Sequence, residues 1–144
     1  MSPPIVRPIA IGVVWRGSEL LLIAVRDAGA LIGWRPPGAT IEFGERAADA
    51  LRREFLEELG EPIADPEPLS VLENLYTHGG TPGHEIVLVF KTAFVDAAAY
   101  ARERFEFQDG LHAQEGRWID RSAIEAGQAR LLPLGLAEKL AIRS

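Results

Sequence analysis

The chain has 144 residues, 47% hydrophobic and 25% charged, with a formal net charge of −6 and no cysteine. That size suits one domain over residues 1–144, burying about 68–70% of the unfolded surface, and the missing cysteines exclude disulfides, thiolate metal sites and cysteine nucleophiles. The negative balance argues against a general basic surface for nucleic-acid polymers; a small phosphorylated ligand stays open, because bound cations and local arginines offset the repulsion.

In chain order, MSPPIVRPIA lacks the charged start and apolar run of a signal peptide. No apolar run approaches the roughly 18 residues of a membrane span, so a cytoplasmic protein that does not insert in membranes is expected. Ile9 to Trp15 and Leu20 to Val25 are strand-like, with a turn at Arg16-Gly17-Ser18 between them. Arg26 to Leu31 leads into Ile32 to Gly38, where two prolines and a glycine suit neither a central strand nor a helix, and an irregular path is expected. Thr40 to Phe43 is a short extended piece that delivers the chain to a helix. Pro62 to Pro68 reads as a loop, Leu69 to Thr77 as a strand, and His78 to Gly83 as a flexible connection. Ile86 to Val95 is the most strand-like stretch; its unbroken start, Ile86-Val87-Leu88-Val89-Phe90, fits a strand covered on both faces. Asp96 is placed to cap a short helix over Ala97 to Arg104. A last strand at Glu115 to Ile119, a cap at Asp120 before Arg121 to Ala126, and a closing helix over Leu134 to Ile142 end the chain. Strands on either side of a central helix, with helices late, imply a sheet covered on both faces.

The central helix carries the densest chemistry. It begins after Gly44-Glu45 and stops at Gly60, with Pro62 behind it. At about 100° per residue, Ala48, Leu51, Phe55 and Leu59 share the side that would face the core. Glu54, Glu57 and Glu58 share an adjoining arc, where like charges at such spacings repel by roughly 0.2–0.5 kcal/mol per pair. Two readings fit that arc. Arg52 and Arg53 pair with the glutamates on a solvated face, or the carboxylates form an oxygen site for a hard divalent cation.

The whole stretch from Gly38 to Glu61, GATIEFGERAADALRREFLEELGE, resembles the signature of the MutT-like Nudix hydrolase family. That signature runs Gly, five residues, Glu, seven residues, then Arg-Glu-aliphatic-any-Glu-Glu-any-Gly-aliphatic. Glu45, Arg53, Glu54, Phe55, Glu57, Glu58 and Gly60 stand in register between residues 39 and 61. Ala39 replaces the first glycine, Glu61 the last aliphatic residue, and Phe55 is apolar but aromatic.

The resemblance implies an α+β fold, a three-layer α/β/α sandwich around a mixed β-sheet. It implies hydrolysis of a nucleoside diphosphate linked to another group, with Mg2+ or Mn2+ as cofactor. Carried over by position, Glu57 and Glu58 are metal ligands and Glu54 is a ligand or the base for water. Arg53 orients the carboxylates, Glu45 supports them, and Gly38 offers a backbone carbonyl to the metal. The expected partner is a small nucleoside diphosphate derivative, and the protein a monomer or homodimer. Oxidised nucleoside triphosphates, ADP-ribose, dinucleoside polyphosphates and nucleotide sugars all remain open. A non-catalytic nucleotide sensor on the same fold competes, and the intact glutamates count against it. A prenyl diphosphate isomerase of this fold would lean on a cysteine that is absent.

At Ala39 the question is φ: a negative value fits alanine, and a positive one strains it by about 1 kcal/mol. Outside the signature, Arg35, Glu85 and Glu115 are candidate substrate contacts. Glu85, beside His84, either points into a cleft or solvates a strand end. Glu106 and Glu115 are candidates for a further ligand or base from a late loop. His78, His84 and His112 share no spacing and read as loop residues. Trp15, Trp34, Tyr76 and Phe107 are candidates to stack on a base, against the commoner fate of aromatics in the core.

Overall fold

The computed structural model describes residues 4–143; Met1 to Pro3 of the N-terminal stretch, and Ser144, lie outside them. The strands are β1 (Arg7–Arg16), β2 (Glu19–Asp27), β3 (Ala30–Arg35), β4 (Gly38–Thr40), β5 (Glu67–His78), β6 (Thr81–Thr92), β7 (Arg104–Asp109) and β8 (His112–Asp120). Helix α1 (Ala47–Glu54) continues into a π-helical turn over Phe55–Leu59; α2 (Arg121–Glu125) and α3 (Leu136–Lys139) are short.

The sheet runs β5-β6-β1-β2-β8-β7, with β1 and β6 parallel and the other neighbours antiparallel. Strands β1 and β2 pair only beside their turn, at Trp15↔Leu20 and Arg16↔Glu19. Beyond that point they part, and each takes a short partner: β4 against β1 and β3 against β2. The cleft opens where the two halves of the sheet separate.

Neighbouring residues of the central strands serve opposite faces, which is why their sequences are apolar without a break. Leu20, Leu22, Val87 and Val89 pack with Ile124, Leu131, Leu136 and Ile142 of the C-terminal segment. Leu21, Val14 and Phe90 pack on the other face with Leu51, Phe55 and Leu59 of the central helix. The result is an α+β sandwich of three layers around a mixed sheet.

Several local expectations change. Ile32 to Arg35 belong to β3 rather than to an irregular loop, because the sheet offers β2 as a partner and only the two prolines that follow interrupt pairing. His78 to Gly83 is a tight hairpin: His78 faces Thr81 across Gly79-Gly80, both with positive φ, as a two-residue turn of this hand requires. Asp96 does cap, accepting from Ala98 N, but only a 3-10 turn over Ala97–Ala101 follows. Arg104 already starts β7, where buried Phe105, exposed Glu106 and half-buried Phe107 alternate as a strand should. The closing helix shrinks to Leu136–Lys139, started by Gly135 at φ 94. On α1 the buried face is Ala50, Leu51, Phe55 and Leu59, with Ala48 only half-buried.

Candidate active site

Helix α1 is positioned by its apolar edge and by its stop. Leu51 and Phe55 are fully buried, and Phe55 meets the ring of Phe94 edge-on at 6.0 Å. Phe94 in turn contacts Tyr100, Phe105 and Trp118, so an aromatic side chain at 55 completes a ring cluster that an aliphatic one would leave short. Gly60 ends the helix at φ 70, a conformation glycine adopts without the clash of a β-carbon. Glu61, where the signature has an aliphatic residue, accepts from Arg102 Nη1 at 2.8 Å. Arg102 also donates to the Leu59 carbonyl and lies 4.1 Å over the Phe105 ring, so this pair ties the end of the helix to β7.

The carboxylates of the helix divide into two environments. Glu54 and Glu58 turn inward and line a small cavity with Arg35, Pro37, Gly38, Phe107 and Asp109. The chain's hydrogen bonding loosens to the π form over Phe55–Leu59, and the wider turn brings residue 58 back over residue 54. Burial, then the Glu58 and Asp109 charges, push the Glu54 carboxyl up to about 7, with Arg35 and Arg53 acting against them. Glu58 is raised as well, by burial first and then by Asp109 and Glu57. Its Oε2 is a buried oxygen with no hydrogen-bond partner. A buried acceptor left unpaired is costly unless a ligand completes it.

Glu57 points the other way. Its side chain is 60% exposed and stands 3.6 Å from Arg53. The outer group is organised by Arg53, which grips Glu45 with two bonds: Nε to Oε2 at 2.9 Å and Nη2 to Oε1 at 3.0 Å. Arg53 also donates to the Thr40 carbonyl at 3.2 Å, so the fork joins helix, turn and β4. The Arg53 hydrogen bond, then the Glu42 backbone N–H, hold the Glu45 carboxyl below its usual range. Sequence reading had three carboxylates converging; the structure gathers two, and turns the third toward the arginine.

The need for glycine falls on Gly38 rather than on Ala39. Ala39 pairs with Ala10 in ordinary extended backbone, and the non-glycine residues with positive φ among those described are Ala28 and Ala141. Gly38 is the position that tolerates no side chain: a β-carbon there would run into the Ala10 carbonyl oxygen and, at 2.7 Å, into Ile11 Cγ2.

From the cavity, a cleft of about 720 Å³ extends between the halves of the sheet. Arg26, Arg35, Ile32, Tyr76, Glu85, Gln114 and Leu134 line it, with Glu54, Glu58 and Asp109 at its base. Arg35 and Glu85, both candidate substrate contacts, line this cleft. Glu115 does not. It bonds Arg117 on β8, and Gln114, one residue earlier and on the opposite face of the strand, lines the cleft instead. Glu106 is exposed and pairs with Arg104, so neither late glutamate joins the carboxylates. Asp109 does, and the signal for it was the Asp109-Gly110 pair, a strong hairpin mark that puts an acid at a turn tip. His78, His84 and His112 lie on β5, β6 and β8 rather than in loops, and His78 Nε2 bonds the Arg26 carbonyl at 2.8 Å. Trp15 and Trp34 pack against the core, Phe107 lines the small cavity, and Tyr76 alone of the four lines the large cleft.

Among the described residues no three Asp, Glu or His side chains form a ready-made cation cage, and no helix is long and apolar enough to cross a membrane. Two inward carboxylates with an unpaired buried oxygen still fit a magnesium-like ion, which takes one or two carboxylates and completes its shell with water and phosphate oxygens.

A family model for the NUDIX domain matches residues 6–135. Among solved structures, a NUDIX hydrolase from Nitrosomonas europaea is 19% identical with a TM-score of 0.68, covering 96% of this chain and 87% of that one. A MutT NUDIX hydrolase from Burkholderia pseudomallei is 20% identical with a TM-score of 0.62, over 95% of each chain. A MutT protein from Bacillus halodurans is 17% identical with a TM-score of 0.59, over 94% of this chain and 79% of that one. At such identities the likeness to solved structures is one of fold.

Proposed function

The chain belongs to the NUDIX family, as a Nudix hydrolase, and from that premise we propose that it cleaves a phosphoanhydride bond in a nucleoside diphosphate joined to another group. The observation that carries this reading is the pair Glu54 and Glu58, half-buried and lining one cavity with Asp109, with Glu58 Oε2 buried and lacking any partner. Family members generally use a divalent metal; in this reading the ion is Mg2+ or Mn2+. Glu54 and Glu58 would hold it, with Gly38 lining the same cavity beside them, while Glu57, carried over from the signature as a ligand, faces Arg53 instead. Bound there, the ion would neutralise the diphosphate and make an attacking water more acidic.

The chain's own groups do the rest. Arg35 lines both the small cavity and the cleft, so its guanidinium is placed to grip phosphate oxygens as they pass from one to the other. A bound ion would draw the Glu54 carboxyl back below the value of about 7 that burial gives it, leaving it ionised near neutral pH, and Asp109 offers a further carboxylate from the hairpin tip. Arg53 and Glu45 hold the turn before α1 against the helix, which fixes the approach of Gly38. Pro37 and Phe107 wall the cavity and limit the water inside it.

The test is a hydrolysis panel over oxidised nucleoside triphosphates, ADP-ribose, dinucleoside polyphosphates and nucleotide sugars, read by chromatography of the nucleotide and its phosphorylated co-product, with Mg2+ or Mn2+ and with excess EDTA. Hydrolysis of at least one compound, abolished by EDTA, is the expected result. Full activity in EDTA sinks the carboxylate site as a metal site. Nucleotide binding without turnover on any compound would bring the sensor reading forward.

A further inference from the structure

Glu85 lies on β6 with Asn74 of β5 and Arg7 of β1 as its cross-strand neighbours, and its half-buried side chain lines the cleft. Both oxygens are held. Asn74 Nδ2 donates to Oε1 and the Tyr76 hydroxyl donates to Oε2, each at 3.1 Å. A carboxylate offers about four acceptor positions, so two remain, one on each oxygen. The carboxylate is thus a pair of adjacent acceptors fixed in orientation by neutral donors.

Beside it, Tyr76 forms a platform. Its ring lies across Gly83, its cross-strand partner, so closely that a β-carbon at Gly83 would collide with the Cζ end of the ring. The glycine lets the ring lie on the sheet while the hydroxyl is anchored by Glu85. Ile32, Leu132, Pro133 and Leu134 supply apolar lining to the same cleft. The site suits a planar heterocycle that presents hydrogen-bond donors at one edge. A cation is a poor occupant, because Asn74 and Tyr76 turn donors toward Glu85 and bring no further acceptor.

We propose that Glu85 reads the base of the substrate and that the preferred class is the guanine nucleotides. This rests on the nucleotide reading above and sharpens it. Guanine alone among the common bases sets two N–H donors side by side, the ring N1–H and the exocyclic amino group. Adenine and cytosine place an acceptor next to their amino group, and uracil and thymine flank their N–H with two acceptors. Against an acceptor-only carboxylate each of those edges leaves a repulsive or unpaired contact, and buried unpaired polar groups are what make such sites selective. Arg35, lining cleft and cavity alike, would then meet the phosphates of a ligand whose base rests at Glu85.

The experiment measures dissociation constants of GDP, IDP and ADP in Mg2+ by calorimetry, on the wild type and on Glu85→Gln, beside hydrolysis of the compound panel. GDP is expected to bind about tenfold or more tighter than ADP, the range a bidentate base contact supplies, with IDP between them because it keeps N1–H and lacks the amino group. Glu85→Gln, whose amide offers one acceptor and one donor, should narrow the GDP-to-ADP ratio about tenfold. Equal binding of GDP and ADP by the wild type, or a preference for ADP, overturns the proposal, as does an equal loss on all three ligands in the variant. If the variant does not fold, the wild-type series decides alone. Selective GDP binding without turnover of any compound supports base reading while removing the hydrolase reading; turnover without base preference does the reverse.

Discussion

Glu45 and Glu54 are the same residue type on one short stretch of chain, and their surroundings move them in opposite directions. Glu45 is clamped by two bonds from Arg53 and held below the usual carboxylate range; Glu54 is half-buried among like charges and pushed up to about 7. The outer group, Glu45 with Arg53 and Glu57, is electrically complete. The inner group, Glu54 and Glu58 with Asp109, is not, and one of its oxygens is buried without a partner. The difference teaches that a run of carboxylates in a signature is two structures in one: a paired scaffold and an unpaired site.

The sharpest test compares a residue of each group. Glu58→Gln should lower metal-dependent hydrolysis by a factor on the order of 10²–10⁴, since it removes an inner carboxylate. It should hold or raise the metal-free melting temperature, because one of three crowded charges disappears, and it should shrink the stabilisation produced by added Mg2+. Glu57→Gln, exposed and facing Arg53, should lose less activity. Equal losses from both variants would erase the distinction between inner and outer glutamates.

The outer group is probed by Arg53→Lys, which keeps the charge and loses the fork. A lysine cannot make both bonds to Glu45 and the bond to Thr40 at once. Activity should fall roughly 10–100-fold, as when a supporting contact around a metal site is lost. The metal-free melting temperature should fall too, which separates this variant from Glu58→Gln.

A pH series measures the inner group directly. Glu54 has its folded pKa raised, from the ordinary 4.5 to about 7, so the folded state holds the proton more tightly than the unfolded chain does. Its contribution to stability is therefore fully present below about 4.5 and lost as pH rises through about 7. The melting temperature of the metal-free protein should decline over that window, less steeply in Glu54→Gln, and Mg2+ should reverse the decline. Groups that raise Glu54 (Glu58 and Asp109) and those that lower it (Arg35 and Arg53) all line the cleft with it, so Asp109→Asn should shift the midpoint down. A melting temperature flat from pH 4.5 to pH 7 in the metal-free protein would contradict the inner environment.

The sequence made some of this legible for physical reasons. The helix could be read because periodicity, Gly60 and the signature agree, and β6 because its apolar run needs cover on both faces. β3 was hidden by Pro36 and Pro37, although a residue before proline is itself biased toward extended backbone, as Arg35 proves to be. β7 was hidden by the alanines after Asp96, which favour helix locally until Phe105 and Phe107 are claimed by the core. Asp109 could not be placed by spacing, because a hairpin tip reaches the helix only through the sheet. Nor could Glu57 be turned outward on paper, since that depends on the π-helical turn. Two departures from the signature found partners that no local pattern shows: Phe55 in the rings around Phe94, and Glu61 at Arg102.

Ala39 is the third departure, and the smallest effect is expected there. Its backbone is extended and paired with Ala10, so the negative-φ case holds and alanine sits without strain. The close approach that demands glycine is one residue earlier, at Gly38, under the Ala10 carbonyl. Restoring glycine at 39 changes no side chain of either carboxylate group and can act only through the freedom of the unfolded chain. Ala39→Gly should therefore cost about 0.4–1 kcal/mol of stability and leave turnover nearly unchanged. The measurement is paired, melting temperature and metal-dependent turnover for both proteins on one substrate. A variant that gained stability and turnover together would mean that alanine strains the loop, and that the backbone beside the inner group is less settled than its pairing with β1 indicates.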